Sequence, residues 1–200
     1  MIKAIIFDIG GVLVNFSHRI VCEKLSKYSN LTKDEIYDLL YNDDIVKRAE
    51  RGEISKEDLH DEICKLLGTK ISFDEFKIAW IDILNEKKET VELVYNLKNK
   101  YMLLALSNVD ELNYNYVRDN FNALKPFDDI VLSFKFKFRK PNKEIYEEAI
   151  RLSKCNPNEI VFIDDLKENV NGAKKLGVNV IQYNSLEQTK NELIKLGVKI

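Results

Sequence analysis

Apolar residues along the chain fall into two rhythms. Short unbroken apolar runs that stop abruptly at polar side chains occur at Ile2 to Phe7 before Asp8, at Met102 to Leu106 before Ser107 and Asn108, and at Ile160 to Ile163 before Asp164 and Asp165. Runs of this length suit strands buried on both faces, as in a parallel sheet covered by helices. Two further runs, Ile130 to Phe134 and Val178 to Ile181, complete an expected five-stranded sheet. Between the runs the period lengthens to that of helices. Glu111 to Phe121 behind a capping Asp110, Asn142 to Leu152, and Lys167 to Leu176 closed by Gly177 each follow a strand. This alternation predicts an α/β doubly wound fold, a parallel sheet flanked by helices. Ligands of such sheets bind beyond the carboxyl ends of the strands, where the sequence puts Asp8, Ser107 and Asp165.

One stretch breaks the alternation. Residues 15–90 read as successive amphipathic helices without a convincing strand, far longer than an ordinary crossover. Thr32 with Glu35, and Ser55 with Asp58, stand at or near capping-box spacing and mark two helix starts. The expected organisation is therefore a core of residues 1–14 and 91–200 carrying an inserted helical cap, 15–90. Asn15 to Ser17 and Asn85 to Thr90 are the expected hinges. Within the cap, Phe73, Phe76 and Trp80 at helical spacing are read as its core. The alternation from Phe134 to Arg139 is read as a strand with one buried and one solvated face rather than as a nucleic-acid platform.

Composition narrows the function. Two hundred residues with 45% apolar content can build a sizeable core. The apolar runs are far shorter than the ~20 residues of a bilayer span. A carboxylate at position 8 precedes any signal-peptide core, so a cytoplasmic protein is expected. Cys22, Cys64 and Cys155 are widely spaced and suggest neither disulfides nor a zinc site. A formal charge of -2 and a pI near 5.9 give no global attraction to nucleic acid or anionic lipid. Neither is an expected partner, and nothing here sets an oligomeric state.

Four short motifs occur in order: Asp8-Ile9-Gly10-Gly11-Val12; Ser107-Asn108; Arg139-Lys140-Pro141; and Asp164-Asp165 followed by Asn169 and Gly172. Together they resemble the motifs of the haloacid dehalogenase-like hydrolase superfamily, in the subgroup with a helical cap and an Asp-x-Gly-Gly-Val first motif. The resemblance implies a Mg²⁺-dependent phosphatase acting on a small phosphorylated metabolite, with a sugar phosphate favoured. By resemblance Asp8 is the nucleophile, and Ser107, the Asn108 amide and Lys140 hold the phosphoryl group. Asp8, the Gly10 carbonyl and Asp165 hold the metal. Asp164 is either a further, water-mediated ligand or a structural group orienting its neighbour, and Asn169 is a supporting residue.

The chemistry fits these residue types. A carboxylate nucleophile splits a difficult hydrolysis into two transfers. It approaches an anionic phosphoryl group only where positive charge offsets the repulsion, which Mg²⁺ and a lysine supply. The subgroup departs from many relatives in having glycine at position 10, where they carry an acidic proton donor. Such help is typically worth ~10²–10⁴-fold, so activity is reduced rather than abolished. His18 is the titratable group nearest in sequence, though a lone histidine there is more often a packing residue, as is His60. Two other readings compete: a non-catalytic relative that binds a phosphate ligand or a protein, and a metal-free 2-haloacid dehalogenase. The paired Asp164 and Asp165 count against the second.

Overall fold

The computed structural model describes residues 1–42, 44–81 and 84–200. Among these are seven strands: β1 Ala4–Phe7, β2 Val14–Asn15, β3 Asn85–Glu86, β4 Met102–Ser107, β5 Asp129–Leu132, β6 Ile160–Asp164 and β7 Asn179–Gln182. Five of them form a parallel sheet in the order β5-β4-β1-β6-β7, with β1 at its centre. Helices Glu111–Asn120, Lys143–Ser153 and Lys167–Lys174 alternate with the strands, as the sequence predicts. The Asp110 carboxylate accepts from Asn113 N and caps the first of them. Side chains alternate between two apolar layers: Ile5, Phe7, Leu103 and Ile163 face one, and Ile6, Leu104, Leu106 and Phe162 the other. Coverage on both faces explains why these strands read as unbroken apolar runs.

The register positions the site. Phe7 pairs with Ala105 on one side and with Ile163 on the other. Asp8, Ser107, Asp164 and Asp165 therefore all emerge within two residues of one line across the sheet, at its carboxyl edge.

Between β2 and β3 the described elements are helices, packed around a second apolar cluster that includes Leu25, Ile36, Leu40, Ile63, Phe76 and Trp80 and is joined by Leu112 of the helix after β4. Both capping boxes are present, Thr32 with Glu35 and Ser55 with Asp58. The two chain crossings into these helices are not plain hinges. They pair as a short antiparallel ribbon, Val14 with Glu86 and Asn15 with Asn85, too short to leave a period in the sequence. Among the described residues no helix is long and apolar enough to cross a membrane.

One expectation fails. The strand over Ile130 to Phe134 ends at Leu132, and Ser133–Phe136 form a helical turn closed by Lys137 at φ 65°. The phenylalanine-lysine alternation up to Arg139 is thus not a strand. Tertiary ties impose the turn. Ser133 Oγ accepts from Val109 N (3.0 Å) and donates to Val109 O (3.3 Å), holding the end of this edge strand to the loop after β4. Lys137 Nζ donates to the Gly52 carbonyl on the inserted helices.

Candidate active site

Asp8 directly follows β1 in a buried position, and its Oδ1 accepts from Ile9 N at 2.7 Å and from Lys140 Nζ at 2.8 Å. Lys140 is 1% exposed, an unusual state for a lysine that requires full pairing. Its ammonium donates to Asp8 Oδ1, to Asp164 Oδ2 at 2.7 Å and to the Leu106 carbonyl at 3.0 Å, one acceptor for each of its three protons. The loop carrying it is bracketed by Asn108. That side chain accepts from Lys140 N at 2.7 Å and donates to Lys140 O at 2.9 Å. The Asn108 carboxamide is thereby engaged in placing the lysine, leaving the main-chain amide as what this residue offers an anion. Ser107 is buried beside it at the end of β4, its hydroxyl making, among the described residues, a long 3.5 Å contact with the Asn108 carbonyl.

The two acidic residues after β6 have different surroundings. Asp164 is 0% exposed and saturated: Oδ1 accepts from Leu166 N (2.8 Å) and Asn169 Nδ2 (3.0 Å), and Oδ2 from Lys140 Nζ and Asn169 Nδ2 (3.1 Å). Asp165 is half-buried, and its carboxylate accepts no hydrogen bond from another side chain among the described residues. Asp8, Asp164 and Asp165 each present an oxygen within 4.8 Å of the others. Asn169, buried behind the cluster, orients Asp164 rather than facing solvent.

Three carboxylates face the Lys140 ammonium, with Lys87 acting besides on Asp165, and negative charge remains in excess. Burial pushes the Asp8 carboxyl well above the ordinary carboxylate range, with Asp164 and Asp165 adding to it and Lys140 opposing. Burial raises Asp165 in the same sense, reinforced by Asp164. For Lys140, burial works against the ammonium but the two aspartates outweigh it, and its pKa is raised. The residual negative charge and the all-oxygen donors are the conditions a hard divalent cation requires, and they fit Mg²⁺.

The loop after Asp8 is shaped to admit Asp165. Gly11 has φ +74°, and a Cβ built on it would lie 2.2 Å from Asp165 Oδ2. Lys87, beyond β3, donates through Nζ to the Gly11 carbonyl and through its main chain to Leu13 O at 2.8 Å, fastening the ribbon to this loop. Gly11→Ala is expected to add about 1–3 kcal/mol of backbone strain and to displace Asp165. Urea unfolding would show the lost stability, and calorimetry with Mg²⁺ the weakened binding; a variant matching the parent in both would refute this account of Gly11.

Gly10 carries no side chain, and Phe16 Cε1 lies 3.1 Å from where its Cβ would be. His18 stacks on Tyr41 at 4.0 Å, and burial lowers its pKa to about 4. It is uncharged at neutral pH and has no imidazolium proton to donate. His60 lies in the inserted helices, 3.0 Å from the Ile71 carbonyl. From those helices Glu50 pairs with Arg139, the neighbour of Lys140, at 2.7 Å. This half-buried tie joins positions 89 apart and has no local sequence signal. A cleft of about 280 Å³ between Ser55, Lys56, Asp110 and Lys137 is lined by none of the aspartate cluster. Chemistry, not concavity, identifies the site.

A family model described as haloacid dehalogenase-like hydrolase matches residues 2–177. The chain is 27% identical over 200 residues to D-ribitol-5-phosphate phosphatase of Bacteroides thetaiotaomicron, spanning 96% of this chain and 97% of that protein. It is 28% identical to glyceraldehyde 3-phosphate phosphatase of Methanothermobacter thermautotrophicus, over 100% of this chain and 94% of the relative. A crystal structure of a haloacid dehalogenase family enzyme from Bacteroides thetaiotaomicron, in complex with magnesium and inorganic phosphate, superposes with a TM-score of 0.83 at 27% identity, covering 93% of this chain and 96% of that one.

Proposed function

We propose, from the premise that the chain belongs to the haloacid dehalogenase-like hydrolases, that it is a Mg²⁺-dependent phosphatase hydrolysing a small phosphorylated metabolite, with sugar phosphates favoured. The observation that carries this reading is the meeting of Asp8, Asp164 and Asp165 oxygens within 4.8 Å beside the fully paired Lys140. The phosphatases among its relatives support the substrate class.

In this reading Asp8 attacks phosphorus as the ester P–O bond breaks, and the departing oxygen takes a proton from water to leave as the alcohol. Water then attacks the aspartyl-phosphate, releasing phosphate and a proton and freeing the Asp8 carboxylate. Mg²⁺ held by Asp8, Asp165 and the Gly10 carbonyl would offset phosphoryl charge as it develops. Asp165 is the carboxylate free to serve, whereas Asp164 is occupied in holding Lys140 and acts as a structural group. Lys140 supplies a compact fixed charge at the nucleophile and the phosphate, pre-oriented by Asp164 and by the Asn108 bracket. Ser107 and the Asn108 main-chain amide take remaining phosphate oxygens. Residues 1–14 and 91–200 act as the catalytic core. Residues 15–90 act as a cap that excludes water and limits substrates to small molecules. The place of action is the cytoplasm.

A phosphate-release screen over a metabolite panel tests the whole reading. Turnover with sugar phosphates is expected in Mg²⁺ and should disappear in EDTA, returning when the metal is restored. Release that is indifferent to chelation for every substrate would remove the metal from the mechanism.

A further inference from the structure

From the side of the inserted helices, the loop of the nucleophile is met by one aromatic ring. Phe16 stands immediately after β2 and is 43% exposed, and its edge is 3.1 Å from the missing Cβ of Gly10, two residues from Asp8. The ring is braced. It meets His18 edge-on at 5.0 Å, and His18 in turn stacks on Tyr41 at 4.0 Å with 23° between planes. Burial keeps that histidine neutral near pH 7, so the brace carries no charge there. The wall beside position 10 is therefore aromatic and uncharged, while the floor already holds more carboxylates than ammonium groups.

We propose that Phe16 is a specificity-determining residue whose ring forms the wall against which the alcohol part of the phosphate ester rests. The inference rests on the phosphatase reading and names its substrate class more closely. The leaving group presents a C–H or π face to the ring and carries no second anionic group beside the bridging oxygen. Aromatic rings favour such faces. An additional anion resting on the ring would be desolvated against an apolar surface, the Lys87 ammonium at the neighbouring residue being already engaged with the Gly11 carbonyl, and would add to the negative charge of the aspartates.

Calorimetry in Mg²⁺ tests the wall without requiring turnover. The probes are phenylphosphonate and methylphosphonate, which share a headgroup and differ in the face they present. The parent should bind phenylphosphonate more tightly. Phe16→Ala should weaken phenylphosphonate by about tenfold and methylphosphonate by less than about twofold, with Phe16→Tyr close to the parent. Phe16→Leu, which keeps apolar bulk without the ring, should fall between. In turnover, Phe16→Ala should raise KM for phenyl phosphate and leave acetyl phosphate, which has a minimal leaving group, nearly unchanged. A parent that does not distinguish the two phosphonates, equal losses for both, or no loss overturns the proposal. Selective loss of phenylphosphonate in a protein that hydrolyses no phosphate ester would instead refute the phosphatase reading and leave the wall in place.

Discussion

Asp8→Asn is expected to lower phosphate release by about 10⁴-fold or more while the protein stays folded. The amide nearly matches the carboxylate in shape, and Lys140 keeps Asp164 Oδ2 and the Leu106 carbonyl as acceptors. What disappears is the anionic oxygen that forms the bond to phosphorus. Acid quenching during turnover should trap a phosphoryl group on the Asp8 peptide of the parent, detected by mass spectrometry, and none on the variant. The same variant separates an enzyme from a non-catalytic binder, which has no chemical need for a nucleophile. Retained hydrolysis in Asp8→Asn would move the covalent step elsewhere.

Lys140→Met should carry the largest stability cost of any single change at the site. Lys140, Asp8 and Asp164 are paired with side-chain exposures of 1%, 9% and 0%. Removing the ammonium leaves two buried carboxylates without their cation, a loss of about 3–5 kcal/mol. Methionine restores much of the volume, so the deficit reads as electrostatic rather than as a cavity. Turnover should fall by a further 10²–10³-fold or so, measured well below the melting range, because a pre-oriented positive charge is lost from the phosphoryl site. Urea unfolding and steady-state kinetics check the two parts. A variant as stable as the parent would show that the buried ion triad is not what holds the three elements together.

This triad also explains how the inserted helices reach the chemistry. Arg139 precedes Lys140 and is held by Glu50, whose carboxyl pKa burial raises and Arg139 lowers. Asn108 fastens the Lys140 main chain from the other side. The lysine is thus located by contacts from β4, from β6 and from the insertion. A glycine at position 10 is compatible with this arrangement because its side-chain space is met by Phe16.

Much of this was legible in one dimension. The apolar runs ending at Asp8, Ser107 and Asp164 are strands because burial on two faces demands them. Thr32, Ser55 and Asp110 cap their helices through partners three residues away, a distance set by backbone geometry alone. Asp8, Lys140 and Asp165 were recognisable by motif. Other features depend on residues that only folding brings together. Asp164 and Asp165 are identical in type and adjacent, and what separates a saturated carboxylate from an available one is the arrival of Lys140 from 24 residues away, with Asn169 and Leu166 N. The Asn108 bracket spans 32 residues and the Glu50–Arg139 tie 89. The run from Phe134 to Arg139 has a strand's alternation but bends into a turn, because Ser133 and Lys137 find partners in distant loops. Periodicity and capping arise from sterics within a turn of chain and so are written locally; the pairing of buried charges depends on where the chain closes on itself, which the tertiary structure alone decides.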